Sequence, residues 1–158
     1  ELENPWTIKG NPVMLSRPEF DWECRGFRVN EGPAALRHGN RLFVSYSASA
    51  TDENYCMGLL WIDVQADPLE IGNWHKSPQP VFATSSENSQ YGPGHNSFTT
   101  TDKGEDVLVY HARHYTEIEG DPLYDPNRHT RLKPIRWRED GMPDFGIPPA
   151  DDGYSSAP

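Results

Sequence analysis

Apolar residues in this chain come as short runs of strand formers, each closed off by a turn signal. Residues 34–36 and Leu42-Phe43-Val44-Ser45-Tyr46 flank His38-Gly39-Asn40 and read as a hairpin with a tight turn. Residues 57–64 form a third run. Asp67-Pro68 and Gly72-Asn73 then mark loops around Trp74. A further strand is predicted over residues 107–111, a long loop over about 113–129, and another strand-like run over 131–137.

These runs repeat. Trp6 with Pro12-Val13 returns as Trp74 with Pro80-Val81, a spacing of 68 residues. Further on the offset is 64: Phe43-Val44-Ser45-Tyr46 lies over Val107-Leu108-Val109-Tyr110, and Glu31 lies over His95. Antiparallel turn-strand units of this length suggest blades of a β-propeller, an all-β fold. By division the chain holds about two and a half blades, fewer than the roughly four that close a ring. The competing fold is a plain antiparallel sandwich whose hairpins resemble each other by chance.

Composition sharpens this picture. With 15 prolines and 13 glycines in 158 residues, long helices are not expected and turns should be frequent. The 5 tryptophans and 7 tyrosines offer burial area and flat faces that suit sugar rings. A net charge of -10 with no strong Lys/Arg cluster argues against nucleic acid and against an anionic membrane surface; a neutral polysaccharide fits. No apolar run approaches the roughly 18 residues of a membrane span. The cysteines, Cys24 and Cys56, are too few for a disulfide framework. The sequence starts at Glu1 without an initiator methionine or signal peptide, and reads as a mature, processed or cut chain.

The candidate chemistry sits where the repeat aligns polar residues. Glu31 lies between Val29-Asn30 and Gly32-Pro33, a stiff setting that can aim a carboxylate. That geometry suits a general acid, and equally an ordinary turn carboxylate. His95 holds the matching place after Gly92-Pro93-Gly94. Inner strands of propellers line the central channel, so both side chains should face one site, although a lone histidine is often a hydrogen-bonded core residue. His111, His114 and His129 do not have the spacing of zinc ligands. Arg128-His129-Thr130-Arg131 is locally basic in an acidic chain, and reads as bringing an arginine into the channel to pair with carboxylates, or as a loop arginine bound to Asp121 or Asp125. No GxSxG elbow, P-loop or dinucleotide fingerprint is present.

Four stretches together resemble glycoside hydrolase family 43, in its arabinofuranosidase branch. They are Val29-Asn30-Glu31-Gly32-Pro33, Tyr91-Gly92-Pro93-Gly94-His95-Asn96-Ser97-Phe98, Val109-Tyr110-His111-Ala112-Arg113, and the run from Asp125-Pro126-Asn127-Arg128-His129 to Trp137. The resemblance implies a five-bladed propeller, of which residues 1–158 are a partial catalytic unit with blade fragments at about 1–64, 65–130 and 131–158. It implies inverting hydrolysis of terminal α-L-arabinofuranosyl linkages in arabinan or arabinoxylan, with Glu31 as general acid. Tyr91 and Arg128 take substrate-binding places, Arg131 being the weaker match for the arginine. His95 takes the place of a histidine near an axial calcium ion, partly through water. The base Asp and the pKa-tuning Asp of the family belong to earlier blades, and Asp21 matches neither. A second chain or copy is therefore expected to complete the propeller. The alternative is a non-catalytic carbohydrate-binding or structural half-propeller. The compartment is not fixed by the sequence; an extracellular or periplasmic one fits a plant-polymer substrate.

Overall fold

The computed structural model describes residues 2–151. A small hairpin comes first, β1 (Leu2–Asn4) with β2 (Thr7–Ile8). The first large sheet is β3 (Asn30–His38), β4 (Arg41–Ala48), β5 (Cys56–Asp63) and β6 (His75–Lys76), hydrogen-bonded in that order. The second is β7 (Tyr91–Thr100), β8 (Asp106–Arg113) and β9 (His129–Pro134). A last hairpin pairs β10 (Arg136–Trp137) with β11 (Pro143–Asp144). All of these pairings are antiparallel. Among the described residues there is no α-helix, only short 3₁₀ turns. Each large sheet is a meander of neighbouring strands, as a propeller blade requires.

The hairpin expected around His38-Gly39-Asn40 forms, with His38 opposite Arg41 and Gly39-Asn40 as its two-residue loop. The sequence of β4 and β5 explains their central place, because both faces are apolar. Phe43, Met57 and Leu59 point toward the second sheet and pack with Leu108, Tyr110 and Ala112 of β8. Tyr46, Ala48, Cys56 and Leu60 point the other way, under Trp22, Phe20 and Leu15. Two stacked sheets with a shared apolar layer are held mainly by this burial. Glu23 is wholly buried beneath the second face. Its carboxylate accepts from the backbone N–H groups of Glu19 and Phe20 (2.8 and 2.9 Å) and from the Tyr46 hydroxyl (2.9 Å), and pairs with Lys76 at 2.9 Å. A buried carboxylate persists only with such a set of partners.

The offset of 64 residues holds in space: β3 and β4 correspond to β7 and β8. The offset of 68 does not. Trp6 sits in the turn between β1 and β2, 85% exposed, whereas Trp74 packs under the first sheet and donates its indole N–H to the Pro68 carbonyl at 2.9 Å. Residues 131–137 do not open a third unit either. They split at Ile135, and β9 is the third strand of the second sheet. The Ile135 N–H still donates in register to the Asp106 carbonyl at 2.8 Å, the last bond of the β8–β9 ladder, and Ile135 is buried in the core before the chain leaves for the β10–β11 hairpin. The first sheet likewise runs on to Lys76, past the division expected near residue 64. The end of the expected third fragment, residues 152–158, lies outside the described residues.

Candidate active site

Both inner strands carry a bulge at the polar residue the repeat aligns. On β3, Glu31 pairs with Ser47 and the next pair is Ala34 with Ser45, so Gly32-Pro33 stand opposite Tyr46 alone, one residue extra. On β7, Gly94 pairs with His111 and the next pair is Ser97 with Val109. A bulge bends its strand and re-aims a side chain, which is why bulges gather beside active sites. Gly32 has φ +55, and a Cβ there would lie 3.2 Å from His95 Nδ1. That position therefore needs glycine twice over, for its backbone and for the close approach of the histidine. His95 itself has φ 45, a left-handed conformation uncommon for a non-glycine residue. Its backbone N–H is held by Ser47 Oγ at 2.7 Å, and Ser45 Oγ donates to Asn96 Oδ1 at 2.9 Å. The two blades are thus tied together at the bulges.

The result is a common pocket. Glu31 Oε1 and His95 Nδ1 are 3.9 Å apart, with side chains 40% and 59% exposed. The pocket has a volume of about 460 Å³ and is also lined by His111, Leu123, Asp125, Pro126 and Arg128. A second hollow of about 440 Å³ meets it at Glu31 and includes Phe27, Asp52 and Leu123. Arg128 reaches the first pocket from the long loop, its guanidinium donating to the Leu123 carbonyl at 2.9 Å rather than to Asp121 or Asp125. Arg131 is turned away, bonded to the carbonyls of Ala112 and His129 and to Asp151. Tyr91 begins β7 opposite Arg113 and does not line the pocket around Glu31.

Two groups at the site were not assigned to it from the sequence: Tyr55, buried behind Glu31, and His111, which lines the pocket. Tyr55 is fully buried, and its hydroxyl donates to Glu31 Oε1. Burial, then the hydrogen bond to Glu31, pushes the phenol's ionisation well up, so it stays a donor. His111 stacks on the Tyr55 ring with centroids 5.6 Å apart and planes at 4°. The repeat did carry a signal for His111: the 64-residue offset lays it over Ser47, the residue opposite Glu31.

His111 makes the site sensitive to acid. Burial, followed by the charges of Arg128 and His95, pushes its imidazole down from 6.5 to about 4. An unfolded chain takes up that proton near pH 6.5, whereas the folded protein holds the ring neutral down to about 4. Between those limits the unfolded state binds more protons, so stability falls as pH drops, by up to about 3 kcal/mol over the window. His111→Phe keeps a flat ring on Tyr55 without the proton. Thermal melts from pH 7 to 4 should show a shallower decline for the variant, and parallel curves would refute this.

Asp125 is already engaged. The Asn127 backbone N–H (2.8 Å) and the Tyr115 hydroxyl (2.9 Å) donate to it, and Arg113 Nε lies 3.5 Å away; together these hold its carboxyl below the usual range. Among the described residues, no group of three or more His, Cys, Asp or Glu side chains is arranged to hold a metal. Calcium takes six to eight oxygens, more than the described residues around His95 supply directly, so an ion there would be held largely through water.

Paired blades thus bring a carboxylate and an imidazole from bulged inner strands to one hollow, as part of a β-propeller does at its axis. The model of the glycosyl hydrolases family 43 matches residues 1–143, and the chain belongs to that family. An extracellular exo-α-(1→5)-L-arabinofuranosidase of Streptomyces avermitilis is 56% identical over 152 residues, 96% of this chain and 32% of that protein. Alpha-L-arabinofuranosidase 43 of Humicola insolens is 53% identical over 95% of this chain and 31% of its own length. The crystal structure of an α-L-arabinofuranosidase from Lactobacillus brevis superposes with a TM-score of 0.93 at 56% identity, covering 94% of this chain and 46% of that one. The chain spans about a third of the length of the curated relatives it matches.

Proposed function

We propose that this chain supplies the general-acid side of an inverting α-L-arabinofuranosidase site, acting on terminal arabinofuranosyl groups of arabinan or arabinoxylan. The observation that carries the reading is Glu31 at the meeting point of two hollows, its Oε1 held by Tyr55 and its neighbour His95 at 3.9 Å. The scissile bond joins two sugars, so an acid between two hollows is where its oxygen would lie. Glu31 gives its proton to the glycosidic oxygen, and the carbon–oxygen electron pair leaves with the departing sugar as its hydroxyl. Arg128 and the Leu123–Pro126 edge hold the ring being released.

Inversion also needs a carboxylate base about 6.5–9.5 Å from the acid, with a water between. Asp125, committed to Arg113 and Tyr115, is poorly suited to that role. As the family resemblance implies, the base belongs to residues outside 2–151, in further blades of the same polypeptide or in a second chain that completes the propeller. An extracellular place of action fits a polymeric substrate and the name of the Streptomyces relative, an extracellular enzyme. The test is proton NMR of fresh digests of an α-1,5-linked arabino-oligosaccharide by the protein carrying this chain. The β-anomer of arabinofuranose should appear first. First appearance of the α-anomer, or tight binding with no release, would refute the reading.

A further inference from the structure

We infer that Tyr55 is a positioning residue for Glu31, fixing which carboxyl oxygen carries the proton to the leaving group; this rests on the reading of Glu31 as general acid. Tyr55 arrives from the loop ahead of β5, an element separate from either bulge, yet its hydroxyl reaches both bulged residues. It donates to Glu31 Oε1 and stands 3.5 Å from His95 Nδ1. With Oε1 occupied, Oε2 is left to hold the proton and face the substrate. The ring is locked from two sides. His111 stacks on one face, and Gly94 lies against it so closely that any Cβ there would collide with the ring. A tyrosine that only filled space would not need its hydroxyl aimed at the acid. A small misalignment of a catalytic group is costly, so a hydroxyl that fixes one carries catalytic weight.

The experiment compares two substrates. An arabino-oligosaccharide has a poor leaving group that needs its proton; a dinitrophenyl arabinofuranoside has an acidic phenol that leaves almost unaided. In the full-length protein, Tyr55→Phe keeps the ring and removes only the hydroxyl. It should lower kcat on the oligosaccharide about tenfold or more, with KM changed less than about twofold, and alter kcat on the aryl substrate by less than about twofold. Equal losses on both substrates, or none on either, would overturn the inference. Glu31→Gln is run beside it. If that variant also fails to spare the aryl substrate, the general-acid reading itself is wrong; if it spares the aryl substrate and Tyr55→Phe does not, only the positioning role is lost. Should Tyr55→Phe not fold, the Cζ resonance of Tyr55 gives a second reading. It should move in Glu31→Ala, which removes the acceptor, and an unmoved resonance overturns the inference.

Discussion

Glu31→Gln lowers kcat for arabinose release from an arabino-oligosaccharide by about 10²–10⁴-fold, the usual share of a general acid. In barrier terms that is about 3–5 kcal/mol. The amide has the carboxylate's shape and can still accept the Tyr55 hydroxyl at one oxygen, so the pocket wall stays in place. Glu31 is also half-exposed and outside both apolar clusters, so folding does not depend on its charge. The loss should therefore fall on kcat and leave KM nearly unchanged, as expected for an interaction made only in the transition state. Initial rates over a range of oligosaccharide concentrations separate the two constants. A variant with wild-type kcat would remove Glu31 from the chemistry.

How much of this was visible beforehand depends on whether a feature is local. Glu31 and His95 were legible because each lies in a bulge written by adjacent glycine and proline, and because one offset aligns them. The blades were legible for the same reason, since β4, β5 and β8 are short runs of strand formers between turns. The fate of residues 131–137 was not, because it turns on their pairing with β8, a distant contact, and on where a buried Ile135 finds its core. Tyr55 was the hardest to see. Shifted by 64 residues it falls on Glu119, inside the long loop that replaces the short one of the first blade, so the repeat carries no signal for it. Its role exists only once β3, β5 and β7 are brought together.

Arg113→Met should destabilise the fold and disturb the pocket at the same time. Arg113 closes β8, and its side chain is only 1% exposed. One end of the guanidinium donates to the Thr51 carbonyl and another to the Pro122 carbonyl at 2.7 Å, so it ties the loop ahead of β5 to the loop ahead of β9. Methionine fills much of the same volume but leaves both carbonyls without their donor. Hydrogen bonds from a charged group contribute about 1.5–3 kcal/mol each, and these two put the loss at about 3–5 kcal/mol. For a chain of this size that lowers the melting temperature by about 10 °C or more. The loop it releases carries Leu123, Asp125, Pro126 and Arg128, half of the pocket wall, so KM should rise together with the loss of stability. Arg128→Met separates the two effects. Arg128 sits in the same loop but bonds only the nearby Leu123 carbonyl, so its loss should raise KM while the melting temperature stays within about 2 °C. If Arg113→Met melts like the wild type, the loop is held by something other than this guanidinium.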